Sequence, residues 1–130
     1  MKITIISVGT IKEKYLKDAI AEYKKRISKY SLVEEITVAD EPIKEKSSEL
    51  QNEEVKEKEA QRIIAKIPLK SYKIALNLKG EMLSSEEFAS KINQIATYNS
   101  SHITFIIGGS LGLGNSVLKL MDYHLCFSKM

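Results

Sequence analysis

Phe105-Ile106-Ile107-Gly108-Gly109-Ser110-Leu111-Gly112-Leu113-Gly114 runs an apolar strand straight into a loop that holds four of the six glycines of the chain. Glycine permits positive φ and lets other atoms approach the main chain closely, at an entropic cost that an idle loop would not carry. In an open α/β sheet, ligands bind just beyond the carboxyl ends of the strands, so this loop is where a small molecule is expected to sit.

Three glycine signatures can be tested on it. The dinucleotide pattern G-x-G-x-x-G fails, because Gly112-Leu113-Gly114-Asn115-Ser116-Val117 lacks the third glycine. The phosphate-loop pattern fits Gly109 to Ser116 except that Asn115 stands where the lysine is needed, which argues against an NTPase. The nucleophile-elbow pattern G-x-S-x-G is matched in full by Gly108-Gly109-Ser110-Leu111-Gly112. A serine hydrolase would then draw its acid and base from Asp122 and His124, two residues apart at the start of one strand, which suits a triad poorly. Two readings stay open at this point: a pocket shaped by glycine backbone, and a small hydrolase using Ser110.

Outward from the loop, the hydrophobic period alternates between strands and helices. Strands are expected at Ile3 to Val8, Leu32 to Val38, Tyr72 to Leu78, His102 to Ile107 and Leu125 to Ser128. Helices are expected from about Lys12 to Tyr30 (inward stripe Leu16, Ala19, Ile20, Tyr23 and Ile27), Glu49 to Ile67 with Pro68 ending it, Ser84 to Thr97, and Ser116 to Met121. Ser84 and Glu87 have capping-box spacing, and Lys79-Gly80 reads as a turn. The fold class is therefore α/β, a mainly parallel sheet of about five strands with helices on both faces, in a single domain covering residues 1–130.

No apolar run is long enough for a membrane span, and the amino terminus lacks signal-peptide features, so a cytoplasmic protein with no membrane partner is expected. The single cysteine, Cys126, excludes an internal disulfide and any cysteine-based metal cluster, and reads as a buried inert thiol. No metal site is expected. Net charge is +3 but unevenly spread: residues 1–30 carry eight Lys or Arg against three acids, and residues 34–59 carry four against ten. Lys24-Lys25-Arg26 and the lysines around them could meet phosphates, or form a solvated helix face. His102 and His124 read as structural or exposed.

Several short runs together resemble one family. Met1-Lys2-Ile3-Thr4-Ile5, Lys12-Glu13-Lys14-Tyr15, Lys56-Glu57-Lys58-Glu59, Gln61-Arg62-Ile63, Lys79-Gly80-Glu81-Met82, Phe105 to Ser110 and Phe127-Ser128-Lys129-Met130 resemble the bacterial ribosomal RNA large subunit methyltransferase H family, of the SPOUT superfamily. The resemblance runs in register over the whole chain. It implies an α/β-knot fold, a cytoplasmic homodimer, and transfer of a methyl group from S-adenosylmethionine to N3 of a pseudouridine in 23S rRNA of assembled ribosomes. It places cofactor contacts on Leu76, Gly108, Phe127, Ser128, Lys129 and Met130. It supplies no catalytic side chain, and no general base is identified. Family members continue past Phe-Ser-Lys-Met into a helix that threads the knot, so the knot-threading C-terminal part is expected to be absent from these 130 residues. On that basis the chain as written should bind the cofactor weakly, and the family segment should restore both binding and methyl transfer.

Overall fold

The computed structural model describes residues 1–9, 14–27, 32–82, 84–109 and 111–126. The elements follow the order β1 (Lys2–Val8), α1 (Lys14–Ile27), β2 (Leu32–Val38), α2 (Glu49–Ile64), β3 (Tyr72–Met82), α3 (Ser85–Tyr98), β4 (His102–Ile107), α4 (Asn115–Leu118) and β5 (Tyr123–Cys126). All five strands are parallel, in the order β2-β1-β4-β3-β5. Parallel strands need covered faces, which is why β1 and β4 are almost continuously apolar instead of alternating.

Each face has its own core. On one, Ile20 of α1 and Phe88, Ile92 and Ile95 of α3 pack on Ile3, Ile5, Ile103, Phe105, Ile107, Ile74, Leu76 and Leu125, with Phe88 edge-on to Phe105. On the other, Ala60 and Ile63 of α2 and Val117 of α4 pack on Ile6, Val8, Val38, Ala75 and Ile106. The two buried threonines in the middle of the sheet are satisfied: Thr104 Oγ1 donates to Ser71 Oγ at 2.7 Å, and Thr4 Oγ1 bonds His102 Nε2 at 2.8 Å. That histidine stands at the amino end of β4, and burial followed by the nearby Lys2 charge lowers its pKa.

Local chemistry sets the helix ends. Ser48 and Ser84 each close a capping box, with Gln51 and Glu87 reaching back to the cap N–H. Replacing Ser84 with alanine should lower unfolding stability by about 1 kcal/mol, as read from a denaturant titration, because it orphans the Glu87 N–H. The second helix stops at Ile64, three residues before the expected Ile67. The residue before a proline disfavours helical geometry, and the chain tightens ahead of Pro68 through Lys66 N–H to Ile63 and Ile67 N–H to Ile64 carbonyls.

Other boundaries also differ. Lys79-Gly80 is not a turn after β3, which runs on to Met82. Leu125 faces both Leu76 and Glu81, so residues 77–80 form a step in register inside the strand. The last strand starts at Tyr123, two residues earlier than expected, because Asp122 clamps it to β3: its N–H donates to the Lys73 carbonyl and its Oδ2 accepts the Lys73 N–H. The short α4 covers Asn115–Leu118, its continuation to Met121 being turns. The expected limits of α1 at Lys12 and Tyr30, and of β5 at Ser128, lie outside the described residues, as do the side chains of Leu16, Ala19, Tyr23, Ile27 and Cys126. No helix among the described residues is long and apolar enough to cross a membrane.

Candidate cofactor site

Because every strand is parallel, the carboxyl ends of β1, β2, β4 and β5 lie along one edge, while β3 runs on past Leu76 to Met82. One row of paired residues runs across the sheet just inside it: Thr37, Ser7, Ile107, Leu76 and Leu125. Neighbouring strands stand about 4.8 Å apart, so Ile107, Leu76 and Leu125 stand side by side across β4, β3 and β5. Leu76 and Gly108 meet there, and the chain reaches the same edge at Cys126. Phe127, Ser128, Lys129 and Met130 lie outside the described residues, as does Ser110.

The Leu76 side chain is only 8% exposed and sits in the core with Ile107 and Leu125, so what it offers a ligand is main chain. This suits S-adenosylmethionine, whose adenine edge and methionine moiety can be held by backbone N–H and carbonyl groups over an apolar floor. Among the described residues, no group of three or more His, Cys, Asp or Glu side chains could hold a metal ion.

The four loop glycines do four different jobs. Gly112 has φ +93° and donates its N–H to the Gly109 carbonyl at 3.0 Å, closing a turn that only glycine enters without strain. Gly108 lies under that turn: a Cβ on it would stand 2.8 Å from the Gly112 carbonyl carbon and 3.0 Å from Leu113 Cγ. The missing side chain at this position therefore makes room for the loop's own return limb, as well as for any ligand. Gly109 faces Val8 and the carboxylate of Glu59, and Gly114 brings the chain against α2, where a Cβ would meet the Lys56 carbonyl oxygen at 2.7 Å. Leu113, buried, pins the loop into the core beneath α2.

Three residues of the Lys56-Glu57-Lys58-Glu59 run thus touch the glycine loop or the helix after it. Glu57 accepts hydrogen bonds from Ser116 Oγ and Gln61, and these hold its carboxyl below the usual range. Glu59 is 4% exposed and accepts the Glu41 N–H at 2.9 Å; burial is the first cause pushing its carboxyl upward. Glu41 is held low, first by its hydrogen bond to Arg62, which also donates to the Ala39 carbonyl. Glu59 was not among the expected site residues. Its signal lies in helix spacing: with Ile63 and Ile67 it occupies the apolar stripe four residues apart, a position where an acid needs a reason.

Of the alternative catalytic set, only Asp122 and His124 fall among the described residues. Asp122 is engaged by the Lys73 backbone at the amino end of β5, and His124 pairs with Ala75 inside the sheet, two strands away from β4. Neither stands at the carboxyl end of β4. In the basic helix, Lys24 is paired with Glu35 of β2 at 3.0 Å, so part of that charge is neutralised within the fold.

Comparison with known proteins agrees with this architecture. The family model described as "Predicted SPOUT methyltransferase" matches residues 1–130. The chain is 53% identical over all 130 residues to the ribosomal RNA large subunit methyltransferase H of an Exiguobacterium species, covering 82% of that protein. It is 48% identical over the same span to the protein of that name from Ruminiclostridium cellulolyticum, again covering 82% of it. A Clostridium perfringens protein of that name is 49% identical, with the same coverage. The chain belongs to the ribosomal RNA large subunit methyltransferase H family of SPOUT methyltransferases.

Proposed function

We propose that this protein transfers a methyl group from S-adenosylmethionine to N3 of a pseudouridine in 23S rRNA of assembled ribosomes, acting in the cytoplasm as a homodimer. The observation that carries this reading is the match over all 130 residues to proteins named ribosomal RNA large subunit methyltransferase H. The edge geometry supports it. Leu76 and Ile107 lie on one register row with Leu125, with Gly108 next in the chain, and the side chains of that row are apolar.

Bound S-adenosylmethionine supplies an activated methyl group on a sulfonium. The protein's share is then alignment and exclusion of water, which suits a site built from main chain with no catalytic side chain assigned. Leu76 and Gly108 hold one side of the cofactor in this reading, and Phe127, Ser128, Lys129 and Met130 hold the other.

The test is incubation of purified protein with tritiated S-adenosylmethionine and ribosomes from a strain lacking this modification. It is run on the 130-residue chain and on the chain extended by the C-terminal segment of a relative. Label at N3 of a 23S pseudouridine is expected in the extended form, with calorimetry showing tighter cofactor binding there. Ser110→Ala should leave methyl transfer within about twofold, whereas a serine hydrolase would lose nearly all turnover. Absence of label from both forms, or ester hydrolysis abolished by Ser110→Ala, overturns the reading.

A further inference from the structure

Glu59 has no part in the proposed methyl transfer, yet it is a carboxylic acid almost wholly buried at the working edge of the sheet. One oxygen accepts the Glu41 N–H at 2.9 Å. The two oxygens lie 3.1 and 3.3 Å from the point where a Cβ on Gly109 would stand, with Val8 Cγ1 3.3 Å from the same point. Gly109 is thus held in a slot with the end of β1 and a carboxyl group as its walls. No side chain separates that wall from the loop backbone, and the preceding residue is Gly108.

We propose that Glu59 is a positioning residue for Gly108 and Gly109: tied to the Glu41 N–H between β2 and α2, its carboxyl sets where their main chain stands at the cofactor edge. The cofactor half of this inference rests on the reading of that edge as the S-adenosylmethionine site. Among the described residues, the groups facing Glu59 are Asp40 and Glu41 from the segment between β2 and α2 and Arg62 one turn further along α2, while Val8 and Gly109 bring no titratable group.

Burial and the charges of Asp40 and Glu41 favour the neutral acid, against Arg62 and the Glu41 N–H, and the balance is upward. The neutral form therefore persists to higher pH than for an ordinary glutamate. Ionisation places a charge in the contact with Gly109 and Val8. By linkage, a loop that binds cofactor better with the acid neutral binds it less well above this transition, by about fivefold.

Nitrogen-15 spectra of the protein without cofactor read the loop directly. The amides of Gly108, Gly109 and Gly112 should share one pH transition above the usual glutamate range, absent in Glu59→Gln and shifted in Glu59→Asp. The Gly114 amide, packed on α2 at Lys56, should stay flat. Calorimetry with S-adenosylmethionine should show the parent losing about fivefold in affinity across that transition and Glu59→Gln losing none. Loop amides that do not titrate in the parent, or that titrate equally in Glu59→Gln, overturn the positioning role. A parent whose loop amides titrate as described but which binds no S-adenosylmethionine at any pH upholds the positioning role and sinks the cofactor reading.

Discussion

Replacing Gly108 with valine should abolish S-adenosylmethionine binding and lower stability together. The backbone of Gly112 occupies the place where the first carbon of the new side chain would go, at 2.8 Å from a carbonyl carbon and 2.9 Å from its oxygen. Neither can move alone, because the Gly112 N–H is bonded to the Gly109 carbonyl and Leu113 is anchored in the core. The turn must therefore open. Overpacking of this kind costs about 2 kcal/mol, and β-branching adds rigidity at the clash. A calorimetric titration should show at least a hundredfold loss of affinity, and thermal denaturation a midpoint lower by roughly 6 °C. From sequence, the space beside Gly108 reads as the place where a ligand meets main chain, with a branched side chain straining the turn while the protein stays folded. A Gly108→Val protein with the parent's melting temperature would show the return limb to be displaceable.

Gly114→Val should have the larger effect on stability with no direct contact to the cofactor edge. A Cβ there would stand 2.7 Å from the Lys56 carbonyl oxygen and 3.1 Å from Ala60 Cβ, both on α2. The only relief is to move α4 off α2. That separation would break the Ser116 to Glu57 hydrogen bond and lift Val117 from its fully buried seat. A loss of about 3 kcal/mol is expected, measured by denaturant unfolding, with cofactor binding weakened only indirectly. A stability equal to the parent's would mean that α4 docks on α2 far more loosely than this spacing requires.

Much of the architecture is legible in the residues. Continuous apolar runs bounded by glycine or charge identify β1 and β4 as doubly covered strands, and Ser84 with Glu87 marks the start of α3 to the residue. What is not legible has a physical cause in each case. Lys79-Gly80 looks like a turn because glycine and lysine punctuate strands, but pairing with β5 resumes after a register step. Strand periodicity carries no information on neighbours, so the order β2-β1-β4-β3-β5 comes only from tertiary packing. In the candidate site, the placing of Leu76 and Gly108 on one edge follows from strand ends. Glu59 is hidden because it lies in a run of alternating charges that reads as solvent-exposed, while three-dimensional packing turns one of those charges inward.

The pairing of β1 with β4 has a consequence for how the protein is made. These two strands form the centre of the sheet, yet Lys2 pairs with His102 across nearly the length of the chain. Closing so large a loop costs entropy before any contact repays it, and during synthesis the amino-terminal strand leaves the ribosome long before its central partner exists. In the interval β1 can pair with β2 alone, and its other edge stays open. The edge at which β3, β4 and β5 stand side by side therefore forms late, and a nascent chain acquires it only once synthesis has passed Cys126.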